Sequence, residues 1–138
     1  MTRHGHTRTT VTVLAGGVGA ARFLRGLMDV VDHADITAIV NTGDDTELHG
    51  LSISPDLDTV TYTLAGAIDR ERGWGLSGET WRAMDALARY VAIRPPGSTA
   101  AATWFNLGDQ DLATHFYRTA RLLEGASLTE VTAEISRA

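Results

Sequence analysis

The chain has 138 residues, 43% hydrophobic and 21% charged, with a formal net charge of −5. That length suits one domain with a real core, and the acidic balance offers no basic field to draw nucleic acid or an anionic membrane. Cysteine is absent and all twelve basic residues are arginine. This excludes disulfides, thiolate catalysis, a lysine-bearing phosphate loop and Schiff-base chemistry.

Residues 1–8 are polar and expected to be disordered. The apolar run after them is broken by glycines and is far shorter than the ~20 residues of a membrane span; a cytoplasmic setting is the expectation. Thr9 to Leu14 is rich in β-branched residues and reads as a buried strand. A helix is expected from about Gly19 to Val31, because Ala20, Phe23, Leu24, Leu27, Met28 and Val31 recur at helical spacing. Ile36 to Val40 reads as a second strand. Strand, helix and strand with short connections make a βαβ unit with parallel strands and a right-handed crossover.

Asn41 to Ser54 reads as a loop of polar turns. Ser54-Pro55 is a helix start, serine as cap and proline at the first position, with Leu57, Val60, Leu64 and Ile68 as the apolar stripe. Ser77 is expected to cap a further helix that turns Trp81, Met84, Ala88 and Val91 inward. Residues 94–103 read as a flexible surface loop. A helix to about Glu124, closed by Gly125, follows, and Ser127-Leu128-Thr129-Glu130 is a capping box for a last one. The fold class is α/β, a Rossmann-like parallel sheet with flanking helices. Two strands against about five helices suggest a portion of a larger α/β enzyme.

Three groups carry chemistry. Gly16, Gly17 and Gly19 lie between strand and helix, where glycine lets an anion approach the free N–H groups of a helix N-terminus. Arg22 stands where the dinucleotide fingerprint has its third glycine. Asp44 and Asp45 follow the second strand, the place where an acid grips ribose hydroxyls in dinucleotide domains, so a nicotinamide enzyme remains an alternative. Asp56 and Asp58 sit in the first turn of a helix, favoured there by the helix dipole. Their crowding beside Asp45 also implies repulsion unless a cation intervenes. Mg2+ is the expected cation, a hard ion that keeps waters and accepts a substrate phosphate. Asp109 and Asp111 form another acidic turn, in which Asp111 reads as a helix cap. Trp104 and Phe105 read as core before ligand wall. His49 and His115 look isolated, and neither is assigned a metal.

The stretches Val11 to Leu24, Val40 to Asp45, Ile53 to Val60, Arg72 to Gly75, Glu79 to Trp81, Leu107 to His115 and Glu124 to Thr132 together resemble the N-terminal part of the 2-phospho-L-lactate (phosphoenolpyruvate) transferases of coenzyme F-420 biosynthesis. The resemblance implies transfer of a phosphorylated three-carbon acid from a guanosine-diphosphate-linked donor to the primary hydroxyl of the deazaflavin FO, with release of GMP and the help of Mg2+. It implies that Asp45 and Asp58 are catalytic and hold the metal. Gly16, Gly17, Gly19, Asp56, Asp58, Asn106 and Asp109 would bind FO or donor phosphate, and the full-length family would be homodimeric. Two departures stand out: Gln110 replaces the arginine usual after Leu-Gly-Asp, and family members are considerably longer. Two alternatives stand beside the transferase. One is a non-catalytic nucleotide-sugar-binding regulator of the gluconeogenesis-factor type, disfavoured by Thr46 to Gly50 in place of a glycine-serine loop. The other is an inactive truncated fragment.

Overall fold

The computed structural model describes residues 9–102 and 104–138. The disorder expected of residues 1–8 lies outside the described residues.

Strand β1 (Val11–Ala15) leads into helix α1 (Gly17–Leu27), and β2 (Ile36–Val40) returns beside β1. The two strands are parallel and in register from Val11 opposite Ile36 to Ala15 opposite Val40, as the alternation of apolar segments predicts. Helix α1 stops four residues earlier than expected. Val30 and Asp29 turn their N–H groups to the i−3 carbonyls of Leu27 and Gly26, a tightening typical of helix ends. Asp32 then opens a short 3₁₀ turn by accepting from the Ala34 N–H.

The polar stretch after β2 is not all loop. Strands β3 (Thr46–Leu48) and β4 (Leu51–Ile53) form an antiparallel hairpin. Its two-residue turn is His49-Gly50, both at positive φ (57° and 75°), as a turn matching the twist of paired strands requires. Helix α2 (Pro55–Leu64) follows, with Pro55 in its first turn.

The helix expected from Ser77 begins later. Ile68 and Leu76 bridge antiparallel and Ser77 donates its N–H to Ala67, so residues 69–80 form a turn-rich excursion. Helix α3 (Arg82–Ala88) comes after it. Met84 is buried, but Ala88 and Val91 are exposed, against expectation. Residues 94–102 hold no helix or strand. Helices α4 (Asp109–Leu123) and α5 (Leu128–Ile135) complete the chain. Gly125 takes φ 94° after α4, and the Ser127–Glu130 capping box is present in full.

Two apolar cores result. Ala15, Ala21, Leu24 and Val60 join the βαβ unit to α2. Leu48, Ile53, Met84, Leu107 and Leu112 join the hairpin to α3 and α4. Helix α2 lies between them, and most of its residues from Asp56 to Thr63 are buried.

Candidate functional site

The glycine turn is formed as expected. Gly16 is extended and precedes α1, Gly17 takes φ +57°, and nothing lies within 4 Å of a side chain imagined on Gly19. The turn already has an anionic neighbour. The Asp56 carboxylate comes within 3.2 Å of where a Gly16 Cβ would stand and 3.4 Å of that of Gly17. Asp56 accepts from the Asn41 amide at 2.9 Å, and the Asn41 carbonyl oxygen accepts from the Gly43 N–H.

Ser54 is buried and leaves α2 uncapped by its side chain. Its hydroxyl donates instead to Asp45 at 2.9 Å. Asp45 and Asp44 are exposed.

Asp58 lies on another side of α2. Together with Tyr62, one helical turn on, it faces Asp111, His115 and Arg118 of α4, themselves spaced at one and two turns. Arg118 donates to both Asp58 oxygens, at 3.0 Å through Nη1 and by a second contact through Nη2. Its Nη1 lies 3.3 Å from His115 Nδ1. Since arginine only donates, Nδ1 is the acceptor there. His115 Nε2 stands 3.3 Å from an Asp111 oxygen, within ion-pair distance, and is a buried polar atom with no hydrogen-bond partner among the described residues. Tyr62 donates to the other Asp111 oxygen at 2.6 Å. Arg118 and His115 are each only 1% exposed.

Burial pushes the Asp58 carboxyl above its ordinary value, although Arg118 pulls it down. Burial also raises Asp111, but His115, Tyr62 and Arg118 outweigh it and hold this carboxyl low. Tyr62 is pushed up by burial and by the charges of Asp58 and Asp111, so its hydroxyl remains a donor.

The cluster forms one wall of a cavity of about 220 Å³ whose other walls include Ile53, Trp74, Phe105 and Leu107. Trp74 and Phe105 are a tilted pair with ring centroids 5.7 Å apart, a favourable aromatic spacing. Arg72 braces Trp74 from outside, its guanidinium 5.5 Å from that ring and 5.1 Å from Trp81.

Asn106 is exposed. The Asp109 carboxylate is engaged by the Thr80 hydroxyl and by the N–H groups of Arg82 and Ala83 at 3.1 and 3.0 Å. These donors hold it low and make it the cap of α3.

The expected carboxylate cluster is thus divided. Asp56 is met by Asn41, Asp45 by Ser54 and Asp58 by Arg118, so relief of repulsion at Asp58 comes from a guanidinium. Among the described residues, ligand atoms of Asp58, Asp111 and His115 lie within 4.8 Å of one another, but Arg118 already occupies that ground as a cation. For a hard divalent ion the oxygen donors remain suitable. The second Asp45 oxygen carries no hydrogen bond among the described residues, and each Asp58 oxygen keeps a further lone pair.

No helix among the described residues is long and apolar enough to cross a membrane. The family model of 2-phospho-L-lactate transferase CofD matches residues 11–138. A phosphoenolpyruvate transferase of Nocardia farcinica is 53% identical over 126 residues, covering 91% of this chain and 36% of the relative. One of Streptomyces griseus is 52% identical over 122 residues, covering 88% and 36%. One of Mycobacterium tuberculosis is 47% identical over 135 residues, covering 88% and 38%. The chain therefore spans a little over a third of the length of these relatives.

Proposed function

The chain belongs to the 2-phospho-L-lactate transferase family, and from that premise we propose that it forms the acceptor-binding part of a Mg2+-assisted transferase of coenzyme F-420 biosynthesis. The acceptor is the deazaflavin FO and the donor a guanosine-diphosphate-linked three-carbon acid, enolpyruvyl as in the names of the bacterial relatives. The FO primary hydroxyl attacks the phosphorus bearing the three-carbon acid, the bond from that phosphorus to the GMP oxygen breaks, and GMP departs. The setting is cytoplasmic, and the full-length protein is a homodimer.

The observation that carries this reading is the cavity walled by Trp74 and Phe105 with Asp58 beside them. Its apolar, aromatic walls suit a flat heteroaromatic ring, and its single charged flank suits a hydroxylated side chain. Asp58, with its raised proton affinity, accepts a hydrogen bond from the attacking hydroxyl and takes its proton. Asp45, exposed and with its carboxylate engaged only by Ser54 among the described residues, would offer its second oxygen to Mg2+, which when bound would neutralise diphosphate charge and ease departure of GMP. Asp58, paired with Arg118 on another side of α2, keeps the proton-accepting role. Of the glycine turn, Gly19 has open space for donor phosphate, while Asp56 stands against Gly16 and Gly17.

The test is a fluorescence titration of the 138-residue chain with FO, reading tryptophan quenching with and without Mg2+. Saturable binding is expected, weakened roughly tenfold in Trp74→Ala, since stacked aromatic contacts are worth about 1 kcal/mol or more. Absence of saturable quenching, or equal quenching in Trp74→Ala, would overturn the assignment of the pocket. Asp45→Asn should abolish the Mg2+ effect and leave FO binding without metal intact.

A further inference from the structure

Away from the candidate site, one cavity concentrates positive charge in a chain of net charge −5. It measures about 280 Å³ and is lined by Val18, Arg22 and Arg25 of α1, with Ile68, Arg70 and Gly73 of the turn after α2. Val18, Arg22 and Arg25 share a helix face by their spacing of four and three. Among the described residues none of the three arginines has an ion-pair or hydrogen-bond partner. The first turn of α1 holds no acidic residue. Glu71, beside Arg70, and Asp29, one turn beyond Arg25, form no ion pair with them among the described residues.

Arg72 of the same turn is used differently. It pairs with Asp69 at 3.1 Å, donates to the Leu76 carbonyl and stacks on two tryptophans. Gly73, at φ +80°, keeps the cavity open: a Cβ there would stand 3.1 Å from Val18 and 3.4 Å from the Arg22 guanidinium.

We propose that Arg22, Arg25 and Arg70 form a subsite for an oxyanion of at least two negative charges, of the phosphate or diphosphate class, separate from the Asp58 pocket. All three arginines are exposed and line the same cavity, so a multiply charged oxyanion entering it can accept their planar, forked donors without displacing an existing partner. The anion is either free diphosphate or the diphosphate of a nucleotide.

Calorimetric titration of the 138-residue chain with inorganic diphosphate, without divalent metal, tests the subsite. Parallel arms use GDP and guanosine. One-site binding is expected for diphosphate and GDP and none for guanosine, with affinity falling as salt rises. GDP binding tighter than diphosphate assigns the site to a nucleotide; equal affinity assigns it to free diphosphate. The Arg25→Gln/Arg70→Gln variant should bind about tenfold more weakly or worse, while Arg89→Gln, outside the cavity, should bind as the parent does. No saturable binding, equal loss in both variants, or no loss in the first would overturn the proposal. If the double variant melts early, the arginine side-chain NMR signals of the parent chain report instead. Shifts confined to Arg22, Arg25 and Arg70 support the subsite, and shifts elsewhere overturn it.

Discussion

Arg118 holds Asp58 through both carboxylate oxygens, and both side chains are almost fully enclosed. Breaking such a pair from one side leaves an uncompensated charge in a poor solvent, which costs about 3–5 kcal/mol. Arg118→Gln should lose stability of that order near neutral pH in urea unfolding. Its pH dependence carries further information. The folded-state value of Asp58 already lies above the ordinary 3.8, so this group withdraws stability as pH rises through its folded value. Removing Arg118 raises it further. The deficit of Arg118→Gln should therefore shrink as pH falls from neutrality toward the raised folded value of Asp58 in the variant. A constant deficit would show that Arg118 acts through packing alone. Asp111 works in the opposite sense. Its value is held below 3.8, so it contributes stability present above that pH and lost as pH falls through its folded value. Asp111→Asn should flatten the acid limb of the stability curve. Part of this network was readable in the sequence. The positions 58 and 62, and 111, 115 and 118, lie at helical spacing. Which faces meet depends on how α2 packs against α4, so His115 looked isolated and Asp111 looked like a cap.

At the scale of elements, α3 and α4 terminate each other's N-termini. Glu79 accepts from the Gln110 and Asp111 N–H groups, both at 2.8 Å, and Asp109 accepts from the first two N–H groups of α3. A capping residue removed in this way costs about 1 kcal/mol. Glu79→Ala should lower stability by that amount, with a smaller loss in Glu79→Gln, read as shifts in thermal midpoint. Gly108 permits the arrangement, because a side chain there would run into the Glu79 carboxylate. Gly108→Ala should therefore lose at least as much as Glu79→Ala, and little more when combined with it, since both remove one contact. Additive losses would deny that they share it. Elements with local signals were legible: the capping box at Ser127, Gly125 after α4, and the glycine turn. The hairpin was not, although His49-Gly50 at two residues between Leu48 and Leu51 was the available sign. Histidine at positive φ is uncommon, and each strand has only three residues, too few for alternation to show.

At the scale of the molecule, the parallel sheet of β1 and β2 is covered by the described residues on one face only. Val13, Ala15, Ile36 and Val40 belong to the core beneath α1 and α2. On the other face Leu14 and Ile39 stand opposite each other in register, 80% and 55% exposed. Parallel sheets are ordinarily buried on both faces; the sequence, with two strands against about five helices, pointed to too little sheet for its helices but not to this bare strand face. Exposed apolar neighbours on a strand pair with free edges invite association. Since neither side chain contributes to the folded core, polar replacement should cost little stability while lowering the tendency to associate. Leu14→Thr/Ile39→Thr places a β-branched residue at both positions, which suits a strand backbone. Sedimentation velocity across a concentration series should show self-association of the parent chain and a monomeric variant, with the two unfolding midpoints close together. If the variant associates as the parent does, self-association arises elsewhere, for example at Phe116 and Leu123, which are 58% and 84% exposed on α4. If the variant instead unfolds at much lower denaturant, Leu14 and Ile39 are buried in solution by a contact between copies, and the sheet face is part of the folded protein's stability.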